Sequence, residues 1–234
     1  MGNDVPSNVV ERISDVDVYI ITRFDREVMP NGTVRRIHTE DMCQSLGLPS
    51  EEKYEPRAVD IANVLRNGGV GEEGLLEWFS HLVTCVLLGD ADAHAKNYSV
   101  FLDSDGIRPT PMYDVITTMV WPMYTTSLAM SVNGKDRAGD IGLDDWRHEA
   151  GVCGIDPDVA EERVCYLAGR LWDAIPKIPT LLAPHLVDRL VDVLCETTRT
   201  LQADMGVRMR PDFTVTLEGN GVDTRDTRGI EGRS

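Results

Sequence analysis

Apolar residues recur at steps of three and four over much of the chain, which is the spacing of one face of a helix. The pattern is clearest over Glu72–Leu88, which we predict to be a long buried helix that ends at Gly89. Similar spacing predicts four more helices, over Ala58–Arg66, Leu143–Val152, Pro157–Ile175 and Pro184–Asp204. The polar, Gly- and Arg-rich residues 205–234 show little apolar periodicity, and we expect them to form a disordered tail.

The N-terminal region has a different pattern, with β-branched and aromatic residues close together. Val16–Phe24 predicts a strand, and the Pro-Asn-Gly run after it predicts a tight turn. Thr33–Ile37 then predicts the returning strand of a small hairpin. Thr39 stands where a helix N-cap is expected, and Gly47 ends that short helix. Together these elements predict an α+β fold that is mainly helical after its N-terminal hairpin.

Composition and charge narrow the classes of function. The 234 residues include 23 Lys and Arg against 39 Asp and Glu, which gives a formal net charge of −16. So acidic a surface repels a phosphate backbone, and we therefore expect no direct binding to nucleic acid. The apolar stretches are far shorter than the roughly 20 residues of a membrane span. No secretory signal stands at the N-terminus, so we expect a cytoplasmic protein with no membrane association.

The five cysteines are odd in number and widely spaced, and they include no Cys-x-x-Cys pair. This pattern argues against both a disulfide framework and a zinc site. We expect buried thiols in a reducing compartment.

The chemistry is concentrated in the polar loop that follows the long helix. Asp92 and Asn97 stand five positions apart, which is the spacing of the protein-kinase catalytic loop. In that loop the Asp accepts the proton of the substrate hydroxyl, and the Asn holds Mg²⁺. Lys96 is placed to neutralise a transferring phosphoryl group. After the loop, two short strands predict a hairpin, Tyr98–Leu102 and the segment from Ile107 onward, and Asp114 follows it. Asp114 therefore has the expected place of a second metal ligand.

Other interpretations of this loop remain open. Asp92 and Asn97 are compatible with solvated loop residues, because so short a pattern often occurs by chance. His94 is compatible with a structural histidine, and Tyr113 with a core residue. A calcium loop of the EF-hand kind is excluded, because the required Gly and Glu positions hold Ala95 and Phe101.

Several longer segments resemble the HipA family of serine/threonine kinase toxins. They are GDADAHAKNYSVF and RPTPMYDVI around the catalytic loop, TRFDRE at Thr22–Glu27, HTEDMCQSLGLPSEEKYE at His38–Glu55 and SLAMSVNG at Ser127–Gly134. The resemblance runs in the same order from about Val5 to Asp204. It implies a kinase-like C-terminal lobe with a short catalytic hairpin, a type II toxin–antitoxin system, a DNA-binding antitoxin of the HipB kind, and a protein substrate such as an aminoacyl-tRNA synthetase.

The resemblance also implies roles for individual residues, with ATP and Mg²⁺ as cofactors. Asp92 would be the catalytic base, with Lys96 also in the catalytic set, and Asn97 and Asp114 would hold the metal. The residues that would contact the nucleotide are Thr22 and Phe24 at the adenine edge, Asp25 near the ribose, His94 near the phosphates or ribose, and Tyr113 near the adenine. The family commonly has Glu where Thr22 stands, and a backbone contact survives that change.

The sequence departs from a complete kinase before the TRFDRE segment. A Gly-rich loop and a strand lysine normally precede this segment and hold the ATP phosphates. Residues 1–19 contain a single glycine, Gly2, and no lysine. We therefore expect residues 1–38 to be the remnant of an N-lobe and hinge hairpin, and residues 39–204 to be a HipA-like C-terminal lobe. Such a chain is a fragment of a kinase, a partner of a separately encoded N-terminal subunit, or a degenerate interaction module, and we expect it to be weak or inactive alone. A metal-dependent phosphohydrolase is a further alternative.

Overall fold

The computed structural model describes residues 4–104, 106–174 and 184–206. The described residues form three small antiparallel sheets and seven α-helices. The strands are β1 (Asn8–Ile13), β2 (Val16–Ile21), β3 (Arg26–Val28), β4 (Val34–Arg36), β5 (Thr39–Asp41), β6 (Ser99–Asp103) and β7 (Gly106–Pro109). The helices are α1 (Met42–Leu46), α2 (Ala58–Asn67), α3 (Glu72–Leu88), α4 (Leu143–Cys153), α5 (Pro157–Ala174), α6 (Pro184–Thr197) and α7 (Arg199–Asp204). The chain is thus an α+β protein, as predicted.

The N-terminal region contains two hairpins where the sequence predicted one. β2 ends at Ile21, short of the predicted Phe24, and pairs with β1, which the sequence analysis missed. β4 pairs with β3 and not with the strand that begins at Val16. The chain changes direction between them because the Asp25 carboxylate accepts hydrogen bonds from Arg23 and Arg26, which fixes a turn at that point.

The prediction that Thr39 caps a helix was wrong. Thr39 belongs to β5, which pairs with β6 in a three-stranded sheet of order β5–β6–β7. The N-cap of α1 is Asp41, whose carboxylate accepts a hydrogen bond from the Gln44 N–H, while the Gln44 side chain accepts one from the Asp41 N–H. This reciprocal capping box begins the helix two residues later than predicted.

The long helix α3 spans the predicted residues and supplies the centre of the core. Its apolar side chains pack in one cluster with residues of α2, α4 and α5. Phe79 meets the fully buried Trp146 of α4 edge to face, with 5.6 Å between ring centroids. The helix ends where Gly89 adopts a left-handed backbone (φ 71°), as its glycine predicted. The polar loop of residues 90–97, which we call the reactive loop, begins at the next residue, so the core fixes its starting point.

The remaining helix predictions are confirmed with one change. The predicted helix over Pro184–Asp204 is divided at Thr198 into α6 and α7. Ile175 and the predicted tail from residue 207 onward lie outside the described residues. No described helix is long and apolar enough to cross a membrane.

All five cysteines are free thiols. Cys43, Cys85 and Cys153 are buried, whereas Cys165 and Cys195 are half-buried. The expectation of buried thiols therefore holds for three of the five.

Candidate functional site

Asn97 and Asp114 meet side by side, although 17 positions separate them in the chain. The Asn97 Nδ2 donates a hydrogen bond to the Asp114 Oδ2 over 3.2 Å. The hairpin of β6 and β7 carries the chain back from one to the other. Asn97 is buried, and its Oδ1 accepts a hydrogen bond from the His94 N–H, which leaves this oxygen a second lone pair. Asp114 has a left-handed backbone (φ 55°), a conformation that Asp tolerates better than most residues.

This pair is suited to Mg²⁺, which usually takes one or two protein oxygens and completes its shell with water and phosphate. The described residues contain no group of three or more His, Cys, Asp or Glu side chains placed to hold a metal. A zinc or calcium cage built from the protein alone is therefore absent from this part of the chain. A magnesium ion shared with a phosphate ligand would use the Asp114 carboxylate and the second lone pair of the Asn97 Oδ1.

A large cavity of about 1120 Å³ lies beside Asp114. Among its lining residues are six that the sequence analysis selected, namely Thr22, Phe24, Asp25, Lys96, Tyr113 and Asp114. Their positions in the chain range from 22 to 114, so the fold brings together residues that are far apart in sequence. The cavity is large enough for a nucleotide. Asp92, His94 and Asn97 do not line it.

Ring packing and hydrogen bonds hold the aromatic side of the cavity in place. The Phe24 ring packs against Tyr113 at 5.5 Å and against Phe101 at 5.7 Å between centroids. The Tyr113 hydroxyl donates to the Lys96 carbonyl oxygen over 2.6 Å and also lies in hydrogen-bonding distance of Ser99. Burial raises the pKa of Tyr113 to about 12, so this hydroxyl stays protonated. Tyr113 therefore links the cavity wall to the backbone of the reactive loop.

Two charged residues of the cavity are held by ion pairs. The Arg23 guanidinium donates to Asp25 and, together with Arg26, lowers the pKa of that carboxyl to about 2. The Lys96 Nζ donates to the Ser50 hydroxyl over 3.0 Å and lies 3.7 Å from the Asp41 carboxylate. Lys96 is partly exposed at the cavity, where its ammonium can meet an anionic ligand.

Asp92 does not line the large cavity, and its side chain is 57% exposed. Its Oδ1 accepts a hydrogen bond from the Tyr54 hydroxyl over 2.6 Å. The neighbouring His94 has its Nε2 only 2.7 Å from the Lys53 Nζ. Burial, and after it the Lys53 ammonium, lower the pKa of His94. His94 is therefore a neutral acceptor for Lys53.

Asp90 fastens the loop to the segment after Asp114. Its two carboxylate oxygens accept hydrogen bonds from the N–H groups of Asp92 and Ile116, each over 3.2 Å. The Ala91 N–H donates to the Thr118 hydroxyl, which strengthens the same connection. Burial raises the pKa of Asp90 to about 6. One hydrogen-bond network thus holds the expected base, Asp92, and the expected metal ligands, Asn97 and Asp114.

Sequence reasoning missed Asp90, Tyr54 and Lys53 as parts of this site. Asp90 directly follows Gly89, the predicted end of the long helix, and a carboxylate at that position was the available signal for it. Tyr54 and Lys53 are about 40 positions away from their partners. Only the resemblance over His38–Glu55 drew attention to that region.

Comparisons with known proteins show the family and the fold of this chain. Residues 1–175 match the family described as the HipA-like C-terminal domain. The serine/threonine-protein kinase toxin HipA of Shewanella oneidensis is 27% identical over 203 residues, which cover 79% of this chain and 46% of the relative. A Sinorhizobium fredii protein named as a candidate kinase, Y4mE, is 29% identical over 164 residues, covering 68% of this chain and 39% of the relative. The chain thus spans less than half the length of these curated relatives.

Two solved structures show the fold. The Shewanella oneidensis HipA in complex with HipB and operator DNA has a TM-score of 0.77 at 21% identity, covering 88% of this chain and 53% of that one. The Helicobacter pylori proinflammatory kinase CtkA has a TM-score of 0.52 at 11% identity, covering 88% of this chain and 79% of that one. These likenesses show that the α+β fold is kinase-like.

Proposed function

Because the chain belongs to the family of HipA-like C-terminal domains, we propose that it is the catalytic half of a serine/threonine protein kinase. The convergence of Asn97 and Asp114 beside the large cavity is the observation that carries this proposal. Asn97 and Asp114 hold Mg²⁺, and Lys96 pairs with the phosphates. Thr22, Phe24, Asp25 and Tyr113 contact the base and ribose of ATP. Asp92 accepts the proton of the protein hydroxyl.

The residues present fit a bound metal–nucleotide complex. When bound, Mg²⁺ neutralises charge on the phosphate oxygens. The Asp114 carboxylate supplies a negative ligand, and the amide oxygen of Asn97 supplies a neutral one. His94 was expected near the phosphates or ribose, but its Nε2 faces Lys53. We therefore propose that His94 acts indirectly, by holding the Lys53 ammonium near the loop.

We extend the proposal to a toxin–antitoxin context. The Shewanella oneidensis relative is a serine/threonine-protein kinase toxin, and its solved complex contains HipB and operator DNA. A HipB-like antitoxin is the proposed partner for this chain. The aminoacyl-tRNA synthetase implied by the family resemblance is the proposed substrate.

The β1–β2 hairpin supports a further partner, which is the N-terminal lobe of such a kinase. One face of the hairpin carries the cross-strand pairs Val9–Ile20, Glu11–Val18 and Ile13–Val16. The opposite face lines the cavity through Asn8, Tyr19 and Ile21. Five of the six residues on the first face are apolar, and nearly all are exposed. An exposed apolar face of this kind typically marks an interface.

We propose that this face receives the phosphate-holding lobe, whether that lobe is part of the same polypeptide or separate. The relatives are more than twice as long as the matched segment, and the matched family is a C-terminal domain, which both support this occupant. Without the lobe we expect little phosphorylation, since positioning supplies most of the catalysis of phosphoryl transfer.

Calorimetric titration of the full chain with Mg²⁺-ATP tests the proposal. We expect binding that requires Mg²⁺ and that weakens about tenfold or more in Asp114→Asn, because a hydrogen bond or ligand contact from a charged group contributes about 1.5–3 kcal/mol. Asp173→Asn, an exposed position on α5, is the matched control and should bind normally.

Three results would count against the proposal. Equal binding by Asp114→Asn and the parent chain would remove the metal site. Complete silence in the titration would favour an interaction module. Release of free phosphate without labelled protein would favour a phosphohydrolase.

A further inference from the structure

A second cleft, of about 680 Å³, lies on the Asp92 side of the reactive loop. Its main walls are Tyr54, Asp92, Ile116, Trp121, Met123 and Tyr124. Ile116 lines both this cleft and the large cavity, so the two spaces adjoin there. Asp92 is the one charged residue among the described residues that line the cleft. The cleft is therefore an apolar space with a single carboxylate, next to the proposed nucleotide site.

The apolar walls of this cleft are unusually exposed. Met123 is 73% exposed, Tyr124 60% and Ile116 47%. An apolar ligand would cover these side chains, and burial of one large side chain contributes roughly 1.5–3 kcal/mol to the free energy of binding. A group of such residues beside a reactive carboxylate indicates a binding surface.

Tyr54 occupies a specific position in the cleft. Its hydroxyl donates to the Asp92 Oδ1 over 2.6 Å, which is the contact that an acceptor hydroxyl makes with a general base. The Tyr54 ring packs edge to face on His94 at 5.3 Å, and the Lys53 Nζ lies 4.8 Å from the ring centroid. Tyr54 is nevertheless 51% exposed, so solvent surrounds much of the side chain and it can turn away.

We propose that this cleft is the acceptor site, and that it takes a Ser- or Thr-bearing protein segment with large apolar residues beside the acceptor. This inference rests on the proposed kinase function. The Tyr54 hydroxyl holds the place of the acceptor hydroxyl on Asp92 until the segment displaces it. Ile116, Trp121, Met123 and Tyr124 receive the flanking apolar side chains. Acidic flanking residues are disfavoured because Asp92 and the net charge of −16 repel them.

The test measures peptide binding without nucleotide, so that its result does not depend on the Mg²⁺-ATP titration. Fluorescently labelled short peptides with a central Ser are titrated with the full chain and followed by anisotropy. One peptide has Leu on both sides of the Ser, and a second has Asp in place of Leu. We expect the Leu peptide to bind at least about tenfold more tightly, and Trp121→Ala and Tyr124→Ala to remove most of that preference. Tyr166→Ala, an exposed tyrosine on α5 outside the cleft, should keep it.

The role of Tyr54 has its own measurement. In the parent chain a Ser-centred peptide gains little over an Ala-centred one, because it exchanges one hydroxyl on Asp92 for another. Tyr54→Phe leaves the Asp92 carboxylate without this donor, so the Ser-to-Ala affinity ratio should rise about tenfold, as expected for a hydrogen bond to a charged group. Tyr166→Phe should leave the ratio unchanged.

Three outcomes would overturn the inference. Equal binding of the Leu and Asp peptides, or an unchanged preference in Trp121→Ala, would remove the acceptor cleft. An unchanged Ser-to-Ala ratio in Tyr54→Phe would show that Tyr54 does not hold the acceptor position. If Mg²⁺-ATP binds as expected while these peptide results fail, the proposed kinase function stands and the acceptor site lies elsewhere.

Discussion

The Asp90 carboxylate should make the stability of the protein depend on pH in a way that one substitution can isolate. Burial raises its pKa from 3.8 to about 6, because the ionised form loses hydration that two backbone N–H groups only partly replace. The folded state therefore binds more protons than the unfolded state between these two pKa values. The contribution of Asp90 to the free energy of unfolding therefore falls as pH rises through this interval.

The magnitude follows from the two pKa values. The difference between a pKa of 3.8 and one of about 6 corresponds to roughly 3 kcal/mol at most. Between pH 5 and pH 8 the lost part is about 1.4 kcal/mol, because ionisation of the unfolded state is already mostly complete at pH 5. A scan over that range also stays above the acidic pH at which the chain loses its net charge.

Urea unfolding of the parent chain and of Asp90→Asn at each pH provides the assay. The variant loses one of the two acceptor oxygens, which shifts its stability by an amount that does not vary with pH. The difference in unfolding free energy between parent and variant should therefore move by about 1–1.5 kcal/mol against the parent from pH 5 to pH 8. A flat difference would refute the reasoning, and the same measurement on Asp173→Asn, at an exposed position of α5, provides the control.

Three further predictions concern the core and the thiols. Trp146→Ala should cost about 3–5 kcal/mol in urea unfolding, because Trp146 is completely buried; a cost below 1 kcal/mol would contradict the packing. Gly89→Ala should cost about 1–3 kcal/mol, since the position has positive φ and a Cβ would lie 2.7 Å from a Val193 methyl carbon; a neutral or stabilising change in Tm would count against it. In the native chain a thiol reagent should modify Cys165 and Cys195 before Cys153, whose pKa burial raises to about 12; mass spectrometry of early time points would expose any other order.

The helical part of the fold was predictable because its signals are local. The apolar spacing of Glu72–Leu88 and the glycine after it fix α3 without help from the rest of the chain. The strands were harder to predict, since their partners are set by tertiary contacts. Thr39 belongs to a strand because β6, about 60 positions later, pairs with it. A local capping signal could not reveal that competition.

The candidate site divides in the same way. The spacing of Asp92, Asn97 and Asp114 drew attention to the loop, and the fold places the last two in contact. Their roles stay predictions. Tyr54 could not be predicted from the sequence, because a tertiary contact brings it to Asp92. The segment around Lys53 packs on the loop, where the Ala95 N–H donates to the Lys53 carbonyl oxygen over 3.1 Å. Pattern and spacing find residues that act from one loop, whereas a residue that arrives from another segment leaves no local signal.

The exposed apolar face of the β1–β2 hairpin has a consequence for the colloidal behaviour of the purified chain. We expect two copies to attract each other through this face, while the net charge of −16 on each copy repels the other. The Debye length shrinks from about 30 Å at 0.01 M salt to about 8 Å at 0.15 M, so added salt weakens the repulsion and leaves the attraction in place. The chain should therefore sediment as a monomer in dilute buffer and associate as ionic strength rises, which is the reverse of what an assembly held by ion pairs would do.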